Sequence, residues 1–181
     1  KNEIKFVVHS LKQKKNMSSN LEKKLRDERY RFFEKTLEKN SILFMGHHLD
    51  DLIETFFLRA LRGSGIEGLS SIPKERALGK GILVRPFLNF PKSEILVRAK
   101  KDKLKFINDP SNKDISFDRN YLRKKVLPEI ENRWPSYKKN LNQLIENLKE
   151  SSDLLITHAE KDFNEVKVKK LSLIHISEPT R

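Results

Sequence analysis

The stretch that most constrains this chain is Ser41–Thr55, "SILFMGHHLDDLIET". "ILFM" (Ile42–Met45) is a short unbroken apolar run, the pattern expected of a parallel strand covered on both faces. It stops at Gly46, presents His47 and His48, and then sets acids at the head of a helical repeat. From Asp50 to Leu61, the positions Leu52, Ile53, Phe56, Phe57, Ala60 and Leu61 recur at helical spacing and predict one buried side. Asp51, Glu54, Thr55 and Arg59 fall toward the other side. In an open parallel sheet, ligands gather at the carboxyl ends of strands, where the next helix aims its free N–H groups. Gly46, His47 and His48 occupy such an end. Asp51 and Glu54 share a helix face and can hold Mg²⁺ or a substrate ammonium. The plainer reading is a helix start, because acids are favoured in a first turn by the dipole alone. Asp50 suits that role. A zinc site at His47, His48 and Asp51 is disfavoured, since adjacent histidines diverge and no third strong ligand is evident. Spacing alone leaves both readings open.

The flanking sequence supplies the rest of an α/β pattern. "IKFVVHSL" (Ile4–Leu11) reads as a strand. Ser19 and Glu22 have capping-box spacing, so a helix is expected from there. Leu21, Leu25, Phe32, Phe33, Thr36 and Leu37 give it a buried stripe, and Asn40 suits its end. "RGSGIEGL" (Arg62–Leu69) is a glycine-punctuated loop that can cradle phosphate, a weak signal on its own. "GILVRPFL" (Gly81–Leu88) predicts another strand, Pro91 opens a helix to about Lys103, and "LKFIND" (Leu104–Asp109) predicts a further strand. "DPSNKD" is turn chemistry. From Asp118 the pattern is helical, interrupted by Pro128 and Pro135, with Leu141, Leu144, Ile145, Leu148 and Leu155 along a longer amphipathic helix.

Composition narrows the function classes. A net charge of +13 makes a polyanion a natural partner, although a solvated lysine-rich surface gives the same total. The runs Lys12–Lys15, Lys100–Lys105 and Arg123–Lys125 admit the same two readings. The absence of cysteine excludes disulfides, thiolate metal sites and cysteine nucleophiles, and fits a cytoplasmic protein. No apolar stretch approaches the ~18–20 residues of a membrane span. The chain opens at Lys1 inside an apparent strand, which suggests an internal fragment. "LSLIHISEPTR" (Leu171–Arg181) breaks the preceding composition and reads like a translated sequencing adaptor, so it is expected to add nothing to the fold.

Taken together, several segments are more specific than any one of them. "GHHLDDLIETFFLRALRGSGIEGLSSIP", "LVRPFL", "FINDPSNKDISFDRNYLRKKVLPEI" and "RWP" occur in an order and spacing that closely resembles the bacterial tRNA(Ile)-lysidine synthetase family of N-type ATP pyrophosphatases. Glu22, Arg26, Arg29 and Tyr30 fit that family's E-x-x-x-R-x-x-R-Y pattern, and the resemblance runs from about Ile4 to Leu148. It implies an α/β, incomplete Rossmann-like (adenine nucleotide alpha hydrolase-like) domain over residues 1–117 and a helical extension over 118–170, with 171–181 excluded. It implies an ATP-dependent carbon–nitrogen ligase acting on tRNA(Ile) with a CAU anticodon and free L-lysine, with ATP and Mg²⁺ as cofactors. Carried over position by position, His47, Asp51 and Glu54 are catalytic, the two acids also serving Mg²⁺ or the lysine amine. Arg26, Arg62 and Arg119 contact tRNA or substrate. Gly46, His48, Gly63 and Gly65 shape the nucleotide crevice. Arg85, Asn112 and Asn120 match recurrent positions of less defined role. The family's phosphate-binding S-G-G-x-D-S does not occur in this sequence, so the polypeptide by itself is expected to be inactive. The competing readings are a non-catalytic basic RNA-binding module and a tRNA thiolase of the same group. Thiolases that use cysteine are disfavoured by its absence, and a simple phosphate-binding module by the clustered acids Asp50, Asp51 and Glu54.

Overall fold

The computed structural model describes residues 7, 8, 10, 21–70, 72–107, 109 and 114–168. Most of the expected strand Ile4–Leu11, the capping serine Ser19, the basic run Lys12–Lys15, Asn112 and the segment 171–181 lie outside the described residues. The chain divides into two compact units: residues 1–45 with 75–85, and residues 46–74 with 86–181.

The first unit holds helix α1 (Leu21–Thr36) and strands β1 (Ile42–Phe44), β2 (Glu75–Leu78) and β3 (Gly81–Val84). The sheet order is β1-β3-β2, with β1 parallel and β2 antiparallel to β3. Ile42, Leu43 and Phe44 stand opposite Ile82, Leu83 and Val84. The parallel β1–β3 pair with helices between its strands in sequence is the α/β architecture expected. Strand β2 was not expected, because "ERAL" has no alternation that marks a strand. Its two-residue connection to β3, Gly79–Lys80, supplies the hairpin instead, with glycine in first place. Gly79 has φ +57, and a Cβ there would stand 2.6 Å from the Glu34 carbonyl oxygen on α1. Leu43 is partly buried and its β3 partner Leu83 fully so, whereas Ile42 and Phe44 are exposed, so β1 is covered on one face and not on both. The expected strand at Leu104–Asp109 is also absent: residues 104–107 form neither strand nor helix.

The second unit holds α2 (Leu49–Ala60), α3 (Ile66–Leu69), α4 (Lys92–Lys101), α5 (Asp118–Tyr121), a π-helical turn (Leu122–Val126), α6 (Leu127–Arg133) and α7 (Tyr137–Val168). Its core is built from Leu49, Leu52, Ile53 and Phe56 of α2 with Leu88, Leu122, Leu127, Tyr137 and Ile145. Ala60 and Leu61, expected on the buried side of α2, are exposed because the helix runs past its partners there. Leu144 and Leu155 of α7 are exposed likewise. The π turn has a local cause. Pro128 lacks an N–H, and its ring would clash with the carbonyl one α-turn earlier, so the chain widens and Leu127 donates to the Leu122 carbonyl. Among the described residues, no helix is long and apolar enough to cross a membrane.

Gly79→Ala is expected to destabilise the protein by about 2 kcal/mol, since it combines left-handed backbone with a close approach to α1. Gly46→Ala, where a Cβ meets nothing within 4 Å, is expected to cost less than about 1 kcal/mol. Urea unfolding of both variants checks the contrast; equal losses would contradict it.

Candidate functional site

The site is built around the first turns of α2. His48 is the N-cap. Its Nδ1 accepts from the Asp51 N–H at 3.3 Å, and its own N–H donates to Asp51 Oδ2 at 3.1 Å, a reciprocal capping box. Part of what looked like a reaction site is therefore helix-start chemistry. It fixes the Asp51 carboxylate all the same.

Asp50 works across the fold. Its Oδ2 accepts from the Lys92 N–H at 2.7 Å, which satisfies a free donor at the start of α4, and its Oδ1 lies 3.2 Å from Lys138 Nζ on α7. Burial acts to raise the Asp50 pKa, but the Lys92 N–H and the Lys138 ammonium outweigh it and hold the group below the ordinary carboxylate value. Lys138 is the mirror case. Burial acts to lower it, yet the Asp50 carboxylate and the contact with Glu131 hold it above its ordinary value.

Glu54 has no solvent exposure. Arg123, from the π turn, donates to it through two nitrogens, Nε to Oε1 at 2.5 Å and Nη2 to Oε2 at 2.8 Å. Arg119 Nε stands 3.3 Å from Oε2, and Arg119 Nη2 donates to Thr55 Oγ1 at 2.8 Å. Thr55 in turn donates to the Asp51 carbonyl at 2.8 Å. Arg123 Nη2 also lies 3.5 Å from Asp51 Oδ1. The hydrogen bonds to Glu54 raise the Arg123 pKa above its ordinary value in spite of burial, and the Asp51 and Asp50 charges add to this. Two guanidinium groups that lie more than sixty residues along the chain from their partners thus neutralise acids of α2.

This arrangement sorts the expected residues. Asp51, Glu54 and Arg119 come together. The pair Asp51–Glu54 does not fit Mg²⁺ as placed: both Glu54 oxygens are held by Arg123, and two guanidinium charges stand where a dication would have to be. Among the described residues, no group of three His, Cys, Asp or Glu side chains is placed to hold a metal. Asp51 retains one oxygen with only the long Arg123 contact, so a ligand ammonium has an acceptor there. His47 is partly buried, and Gly46 is exposed at the end of the connection from β1. Arg62 lies 3.6 Å from Asp118, both well exposed. Gly63, at φ +73, turns the chain after α2, and Gly65 caps α3. Asn120 is buried and donates to the Asp114 carbonyl at 2.7 Å, which ties the preceding loop to α5. Arg26 and Arg85 belong to the first unit. In the sequence Arg123 is only part of a basic run, and the fold alone makes it a site residue. Its four-residue spacing from Arg119 was the available signal.

Asp50→Asn tests the electrostatics. A lowered acid pKa contributes stability that is fully present above the ordinary value of 3.8 and is lost as pH falls through the folded value. A raised lysine pKa contributes stability that is present below the ordinary value of 10.5 and is lost as pH rises through the folded value. The variant is expected to lose about 1 kcal/mol at neutral pH and to shed part of the acid-side fall in stability. Thermal melts from pH 3 to 8 check this; parallel profiles for both proteins would contradict it.

Residues 1–130 match the family model described as the PP-loop domain. The chain is 43% identical over 144 residues to the tRNA(Ile)-lysidine synthase of Pseudomonas putida, covering 80% of this chain and 34% of that protein. It is 45% identical over 139 residues to the tRNA(Ile)-lysidine synthase of Buchnera aphidicola, covering 77% and 31%. With that of Nitrosomonas europaea it shares 41% identity over 174 residues, covering 94% and 38%. The chain spans about a third of the length of these relatives.

Proposed function

The chain belongs to the PP-loop domain family, and on that premise we propose that it is part of a tRNA(Ile)-lysidine synthase, an ATP-dependent carbon–nitrogen ligase. In the proposed reaction, the C2 oxygen of the wobble cytidine of an isoleucine tRNA with a CAU anticodon attacks the α-phosphorus of ATP, and pyrophosphate leaves. The ε-amine of free lysine, having lost a proton, then attacks C2 and expels AMP. The observation that carries this reading is the buried carboxylate–guanidinium cluster, which leaves Asp51 as a fixed acceptor beside compensated charge. Asp51 holds the lysine ammonium and receives its proton. Glu54, held by Arg123, keeps α2 and the π turn in register, so that the geometry at Asp51 does not drift. His47 and the Gly46–His48 turn position the nucleotide or the activated base, with Gly63 and Gly65 shaping the adjoining loop. Arg26, Arg62 and Arg119 contact the tRNA. Mg²⁺, when bound, would supply counter-charge to the triphosphate; Asp51 and Glu54, already matched by guanidinium groups, would not hold it. The setting is the cytoplasm.

The alternative of a non-catalytic basic module is disfavoured by the same cluster, since three acids and a buried ion-pair network are not needed to bind phosphates. A chimaera in which this chain replaces the matching segment of the Pseudomonas putida relative tests the proposal. The chimaera is expected to incorporate labelled lysine into unmodified tRNA(Ile), Asp51→Ala to lower the rate more than about a hundredfold, and the chain alone to be inert. A folded, ATP-binding chimaera with no lysine incorporation would overturn the assignment, as would incorporation by the chain alone for the proposed division of parts.

A further inference from the structure

Tyr30 on α1 collects cationic side chains. The guanidinium carbon of Arg26, one turn earlier on the same helix face, lies 5.5 Å from the ring centroid, and that of Arg76, from β2, lies 5.2 Å from it. The ring is held on its other sides. Phe33 packs edge-on at 6.2 Å, and the hydroxyl donates to Met45 Sδ at 3.6 Å. Arg85, almost fully buried, interacts with the same tyrosine. Burial lowers the Arg85 pKa; its interaction with Tyr30 works against this, and the like charges of Arg76 and Arg26 act in the direction of burial. Arg26 and Arg76 are both exposed, and neither forms an ion pair with a described carboxylate. The three guanidinium groups gathered at Tyr30 repel one another. An anion laid across Arg26 and Arg76 would relieve this repulsion.

We propose that Arg26, Tyr30 and Arg76 form an RNA-contact surface on the first unit, with Arg76 a phosphate-binding residue that Tyr30 preorganises. An exposed pair of arginines suits a phosphodiester backbone more than a small ligand, which needs enclosure. A guanidinium already held beside an aromatic ring loses less freedom when it meets a phosphate or an unstacked base. The net charge of +13 adds long-range attraction for the same class of partner. Choosing RNA over other polyanions rests on the function proposed above.

The test is anisotropy of a labelled stem-loop RNA with the full chain across a potassium chloride series. Arg76→Gln is expected to weaken binding about tenfold and to lower the slope of log affinity against log salt by about one. Arg76→Lys is expected to restore the slope but only part of the affinity. Tyr30→Leu is expected to weaken binding, with the protein still folded by circular dichroism. Lys149→Gln, an exposed cation on α7, serves as a control for total charge and is expected to change little. Absence of RNA binding, an equal loss in Lys149→Gln, or Arg76-dependent binding of ATP but not RNA would each overturn the proposal. An inert chimaera with Arg76-dependent RNA binding would sink the lysidine reading and leave this one standing. An active chimaera with Arg76-independent RNA binding would do the reverse.

Discussion

Glu54 is an ionisable group on α2 with no access to water. A buried carboxylate costs several kcal/mol unless its charge is matched and both oxygens are bonded. Arg123 meets that condition with two hydrogen bonds, and Arg119 adds a second positive charge. Much of the second unit follows from this one requirement. The segment after Phe117 must lie along α2 closely enough for both guanidinium groups to reach. The π turn at Leu122–Val126, which Pro128 enforces, belongs to the same segment and carries Arg123. Thr55 then links Arg119 back to the α2 backbone beside Asp51.

The same network defines what the site can do. Asp51 is fixed by the His48 capping box from one side and faces Arg123 at a longer distance on the other. A carboxylate so held has little freedom to lose when a cation arrives, which is the preorganisation that amine chemistry needs. It is a poor place for a divalent metal, because guanidinium charge already fills the space. Asp50, one residue away, is spent on structure: it joins α2 to α4 and α7. The three acids in the first half of α2 therefore divide into a tie, an acceptor and a buried anchor.

Part of this was legible in the sequence. The strand–glycine–helix unit and the buried stripe Leu52, Ile53, Phe56 follow from apolar periodicity, and the helix at Lys92–Lys101 from Pro91. The motif order also led to the PP-loop family that the chain matches. The limits have physical causes. Strand β2 is set by its hairpin turn and by pairing with β3, and neither leaves an alternating pattern in "ERAL". Periodicity put Glu54 on the polar side of α2, because it ranks residues by type and not by their distant partners. Only the fold shows that Arg119 and Arg123 arrive there. Arg76 was invisible for the same reason: its meeting with Tyr30 depends on a strand that the sequence does not announce.

The central claim is that the Glu54–Arg123 pair holds α2 to the π turn. A double-mutant cycle measures it directly, with urea unfolding of the chain, Glu54→Gln, Arg123→Gln and the double variant. Each single change leaves a buried partner unmatched, so a coupling of about 2–3 kcal/mol is expected, with the double variant less damaged than the sum of the singles. Additivity to within about 0.5 kcal/mol would contradict the account.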